Sequence, residues 1–105
     1  TVVWEEVDNF VDAGRLPEWA FRIVNHGRHR RIRVFACARR PARVSRDLTA
    51  NATRIVVFHT TEPADLEYLR RYVGKAAAAE VPGLGRYECL DWTPAGSRVR
   101  KSPFR

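Results

Sequence analysis

Three short runs rich in β-branched and aromatic residues punctuate this chain: Thr1–Trp4 (TVVW), Ile32–Ala38 (IRVFACA) and Arg54–Thr60 (RIVVFHT). The segments between and after them carry helical periodicity or helix-capping signals instead. The order is strand, helix, strand, short helix, strand, helix. It constrains the fold more than any other feature, and predicts an α/β domain with a parallel sheet and flanking helices. Apolar residues run almost without interruption through Ile55–Phe58, the pattern of a parallel strand covered on both faces.

Local punctuation supports these assignments. Pro17 suits a first helical position and Glu18 favours the positive end of the helix. Trp19, Ala20, Ile23 and Val24 then form an apolar stripe, and Gly27 fits the residue after the helix end. Pro41 closes the second strand, and Ser45 is placed to cap the short helix that follows. Pro63 opens the next helix, whose buried face is expected to carry Leu66, Leu69 and Val73. Glu67 and Arg71 are expected to pair on its surface. Gly74 is expected to end or interrupt it. Further on, RYECLDW reads as a strand, TPAGS as a turn and RVRKS as the partner strand, a short β-hairpin at the end of the fold.

A length of 105 residues fits one domain or part of one. The first strand begins at Thr1 with no initiator Met, so we expect a piece of a longer protein. Hydrophobic residues make up 45%, enough for a globular core and too many for a disordered chain. No apolar run approaches the roughly 20 residues of a membrane-spanning helix, so no membrane segment is expected. Cys37 and Cys89 are too far apart and too few for a disulfide framework, which fits a reducing, cytoplasmic location. His26, His29 and Cys37 offer too few ligands at suitable spacing for a metal site.

The formal net charge is +7, and of the 19 basic residues only Lys75 and Lys101 are lysine. Such an excess of arginine either equips the surface for a polyanion or reflects the compositional habit of a GC-rich genome.

Ligands of parallel α/β sheets bind at the carboxyl ends of the strands. Glu5 and Glu6 fall at one such end and Arg39 and Arg40 at another. Paired acids there can hold Mg²⁺ and orient or deprotonate an attacking water beside a γ-phosphate. The plainer reading is a strand that exits into solvent at Glu5.

The ordered set VVWEE, HGRHR, CARRP, VSRDLTANA and RIVVFHTTEP resembles the second half of the RecA-like core in the FtsK–HerA superfamily of DNA-pumping ATPases. The resemblance covers roughly residues 1–75. It implies a partial RecA-like P-loop NTPase core: residues 1–80 from the Walker B strand onward, and residues 81–105 as a terminal strand pair or tail of the same domain. It further implies ATP and Mg²⁺ as cofactors, DNA as partner, and a homo-oligomeric ring, expected to be a hexamer. Glu6 falls on the water-activating acid. Glu5 stands where Asp is usual, near Mg²⁺, where contact through water tolerates the longer side chain. Arg39 stands where a polar sensor, most often Gln, is usual; a guanidinium can touch the γ-phosphate but cannot accept a hydrogen bond from water. Arg28, after Gly27, matches an arginine that projects into a neighbouring subunit's site as a finger, or else serves the helix C-terminus as a cation. Arg30 is the substitute finger, and Asn51 is expected to be structural.

A phosphate-binding loop needs G-x-x-x-x-G-K-[S/T]. Gly74–Lys75 is the only Gly-Lys; Leu69 stands at the position of the first glycine and Ala76 at that of Ser/Thr, so it is not such a loop. In the resembled family that loop lies upstream of the Walker B strand. The alternative to a motor fragment is a non-enzymatic basic domain that binds nucleic acid through the Arg28–Arg46 cluster, with Arg43 and Arg46 on DNA phosphates. A metal-dependent nuclease using Glu5, Glu6 and Asp8 lacks a further acid or Lys on a neighbouring strand.

Overall fold

A computed structural model describes residues 1–7, 16–26 and 31–101. The described chain forms two compact units, Thr1–Asn51 and Ala52–Arg105.

The first unit contains β1 (Val2–Trp4), α1 (Glu18–His26), β2 (Val34–Ala36), a 3-10 turn (Pro41–Arg43) and α2 (Arg46–Ala50). β1 and β2 pair in parallel, with Val2 opposite Val34, Val3 opposite Phe35 and Trp4 opposite Ala36. The parallel ladder extends past both strands, where the Cys37 amide donates to the Trp4 carbonyl and the Val7 amide to the Cys37 carbonyl. Val7 is accordingly buried. Leu16 and Ala20 form a small core against Trp4, Val24 and Leu48. The expected stripe on α1 is thus narrower than its sequence suggests: Trp19 is 55% exposed and meets Trp4 edge to face, with ring centroids 5.7 Å apart. Ser45 is fully buried and its Oγ accepts from the Asp47 amide, capping α2 as expected. Asn51 caps the other end, its side-chain amide donating to the Asp47 carbonyl.

The second unit contains β3 (Ile55–Val57), α3 (Pro63–Val73), α4 (Lys75–Glu80), a 3-10 turn (Val81–Gly83), β4 (Glu88–Thr93) and β5 (Gly96–Lys101). Its sheet has the order β3-β4-β5 and is antiparallel throughout. The expected parallel sheet is therefore only partial, confined to β1–β2. β3 is not a strand covered on both faces: Val56 is 44% and Phe58 64% exposed. The reason is its pairing. Ile55 lies opposite Trp92 and Val57 opposite Leu90, and these alternate residues pack against the helices. Val56 lies opposite Asp91 on the other side of the pleat. Leu90 is fully buried, which contributes about 1.5–3 kcal/mol. Leu69 and Val73 line the same core as predicted, with Leu66 partly buried beside it. On the surface of α3, Glu67 pairs with Arg70 rather than with the expected Arg71. The terminal hairpin is present, closed by Pro94–Ala95 between Thr93 and Gly96.

Asp91 is the polar exception in this sheet. It is only 8% exposed, yet it faces away from Leu90. Arg54 covers it, with Nε donating to Oδ1 at 2.9 Å and Nη2 to Oδ2 at 2.8 Å, and Arg100 Nε lies 3.2 Å from Oδ2. These bonds hold the Asp91 carboxyl below the usual carboxylate range; hydrogen bonding from Arg54 is the main cause, partly opposed by burial, and the charges of Arg54 and Arg100 add to it. Arg54 is correspondingly raised.

Two outcomes are expected. The native Asp91 carboxyl binds protons less readily than the unfolded one, so its contribution is complete above the ordinary Asp value of about 3.9 and fades as pH falls through the depressed native value. Asp91→Asn should lower the Tm at neutral pH and flatten its fall on acidification; an acid limb as steep as the parent's would contradict this role. Gly74 joins α3 to α4 at φ 93° and ψ 160°, and apart from its own residue and its chain neighbours nothing stands within 4 Å of where a Cβ would lie. Gly74→Ala should therefore cost about 1–3 kcal/mol in urea melts from backbone conformation alone, and an unchanged midpoint would show that the chain relaxes there.

Candidate functional site

The paired acids leave β1 at its carboxyl end, and Arg39 follows β2 at the matching end of the neighbouring parallel strand. The register of the two strands sets this meeting. Trp4 lies opposite Ala36, and the hydrogen bonds through Cys37 carry the ladder as far as Val7, so the turn at Glu5–Glu6 is held at both sides.

Glu6 sits inside that turn at φ 51°. A side chain in the left-handed region costs on the order of 1 kcal/mol or more and persists only where surrounding bonds impose it. Here the bond from the Val7 amide to Cys37 follows directly. The conformation turns the chain sharply after two exposed acids. Arg39 Nε lies 3.7 Å from Glu6 Oε1, with side chains 69% and 58% exposed. A pair this open contributes at most about 1 kcal/mol to stability.

Glu5 is exposed beside Glu6. Among the described residues no group of three or more His, Cys, Asp or Glu side chains is gathered as a metal cage. Two exposed carboxylates at a strand end instead suit Mg²⁺ in its usual mode, in which one or two carboxylates share the ion with substrate phosphates and water.

Arg43 ends the 3-10 turn and Arg46 begins α2; both are exposed. Their positions follow from Pro41, which starts the turn, and Ser45, which caps the helix. Gly27, Arg28, His29, Arg30 and Asp8 lie outside the described residues. The two cysteines are free, Cys37 exposed and Cys89 partly buried. Among the described residues no helix is long and apolar enough to cross a membrane.

Sequence reasoning missed one charged constellation, that of Arg54, Asp91 and Arg100. Its signal was present: an acid in the middle of the strand ECLDWT, followed by arginines at the alternating positions 98 and 100.

No family model and no curated protein matches the chain. Solved structures do. The chain is similar to the genome-packaging NTPase B204 from Sulfolobus turreted icosahedral virus 2, at 20% identity in two complexes. With ATP-γS the TM-score is 0.85, over 96% of this chain and 52% of that one. With AMPPCP it is 0.88, over 100% and 53%. It is also similar to B204, the DNA-packaging ATPase from Sulfolobus turreted icosahedral virus, at 21% identity and a TM-score of 0.84, over 96% and 51%. The chain thus spans about half the length of these proteins. At this level of identity the likeness is one of fold, and it agrees with the resemblance to FtsK–HerA motors: the chain has the fold of about half of a genome-packaging NTPase.

Proposed function

We propose that this chain is the Walker B, sensor and arginine-finger part of an ATP-hydrolysing, DNA-translocating motor. The observation that carries the reading is the left-handed Glu6, met by Arg39 at the carboxyl ends of two parallel strands. It occurs in a chain with the fold of about half of a packaging NTPase.

In this reading Glu6 accepts a hydrogen bond from the attacking water and draws off its proton as the water adds to the γ-phosphorus and the bond to the bridging oxygen breaks, releasing ADP and phosphate. Arg39 Nε stands 3.7 Å from the Glu6 carboxylate. Arg39 also has N–H donors for a γ-phosphate oxygen, where they would offset charge in the transition state. Glu5 would hold Mg²⁺ through water, and the ion would supply positive charge to offset the charge that develops on the phosphates. Arg28 would reach the site of the next subunit in a homo-oligomeric ring, expected to be a hexamer, and act there as the finger. Arg43 and Arg46 would meet DNA phosphates without reading sequence. Residues 1–80 would then be the core from the Walker B strand onward, and residues 81–105 its terminal pair, working in the cytoplasm. The phosphate-binding loop would come from sequence upstream of Thr1.

A second reading is a non-enzymatic basic domain that holds nucleic acid through the Arg28–Arg46 cluster. The exposure of Arg31, Arg33, Arg43 and Arg46 favours it. An upstream phosphate-binding loop in the same reading frame separates the two.

In a protein that carries such a loop, Glu6→Gln should retain nucleotide binding and abolish hydrolysis, measured by phosphate release; normal turnover would sink the assignment. Arg28→Ala should also stop hydrolysis. Mixing it with Glu6→Gln subunits should restore part of the activity, because one kind of interface then has both groups intact. Absence of any rescue would mean that Arg28 does not act across subunits.

A further inference from the structure

A concavity of about 530 Å³ opens on the face of the second unit's sheet that the helices do not cover. Arg54, Arg98 and Arg100 line it, and Asp91 is the only acid among the described residues that do. Three guanidiniums against one carboxylate leave an excess of two positive charges. Arg98 stands directly opposite Asp91 across the β4–β5 ladder and has no ion pair among the described residues.

We infer that this face is a binding site for the phosphodiester backbone of duplex DNA. Asp91 supplies the organisation. It is almost fully buried, and it grips Arg54 through two bonds and Arg100 through a third contact. Both guanidiniums are thereby held in place, while Arg54 remains 58% and Arg100 44% exposed. Their remaining N–H donors are free to meet phosphate oxygens with little rotamer entropy left to lose. Among the described residues no aromatic lines the hollow, so they offer no platform for stacking unpaired bases, and the duplex backbone is the better match.

Arginines on an edge strand also discourage pairing with another sheet. Edge protection alone accounts for Arg98 and Lys101. It does not account for a buried carboxylate that draws Arg54, from the start of β3, over the same hollow as Arg100.

The test is fluorescence anisotropy of a labelled mixed-sequence DNA duplex with the 105-residue chain across a salt series. No nucleotide is present, so the result does not depend on the motor reading. Arg98→Ala/Arg100→Ala should weaken binding about tenfold or more at low salt and reduce the slope of log K against log salt by about two. Arg98→Ala alone, which removes no ion pair among the described residues, should show about half that change in slope. Arg70→Ala/Arg71→Ala removes the same charge from α3 and should change binding far less. Equal losses in the α3 variant would overturn the inference, because net charge alone would then explain binding. Loss in Arg43→Ala/Arg46→Ala with none in Arg98→Ala/Arg100→Ala would overturn it too, while leaving the basic-cluster reading standing. Equal displacement of the duplex by poly-glutamate at matched charge would assign the face to acidic protein instead.

Discussion

Side chains along β4 alternate, and the second unit is organised around that alternation. Leu90 and Trp92 face the helices, where Leu90 joins Val57, Leu69, Val73 and Ala77 in the core. Asp91, between them, faces the other way and is covered by Arg54 and Arg100. A slip of one residue in the β3–β4 register would exchange these roles, placing a carboxylate in an apolar core and Leu90 among arginines. Burial of Leu90 and pairing of Asp91 therefore enforce the same register from opposite faces. That register sets which strand residues are covered and brings Arg54 over the hairpin.

The first unit depends on a different device. Its apolar core is small, and its strands have only three residues each. What orders the region after β1 is the hydrogen-bond ladder that continues through Cys37 to Val7. Glu6 is caught inside it in a left-handed conformation that glycine would adopt more cheaply. The cost is met by the surrounding bonds, and the acid stands beside Arg39, which follows the adjacent strand. In the second unit the arginine-rich hairpin face is organised around Asp91.

Much of the local structure was legible in the sequence because its causes lie within a few residues. Ser45 caps α2 through an amide two positions away, Gly74 breaks the helical run where only glycine is comfortable, and the β4–β5 turn closes over Pro94–Ala95. The acids at the end of β1 were legible as a pair for the same reason. The nature of the third strand was not. The run Ile55–Phe58 looks covered on both faces, yet its pairing with β4, more than 30 residues later, leaves Val56 and Phe58 exposed. Glu67 likewise chose Arg70 over Arg71, a choice between neighbours that spacing alone does not decide.

The sequence by itself determined the order of strands and helices, the caps and turns that bound them, and the acids and arginines at the strand ends. Each follows from backbone geometry and side-chain chemistry acting over one turn or less. Tertiary structure decided which strands pair and in which direction, that Arg39 meets Glu6, and that Asp91 holds Arg54 from 37 residues away. Those outcomes depend on register between distant segments, because hydrogen bonds and ion pairs act only within a few ångströms and no local signal brings such groups that close.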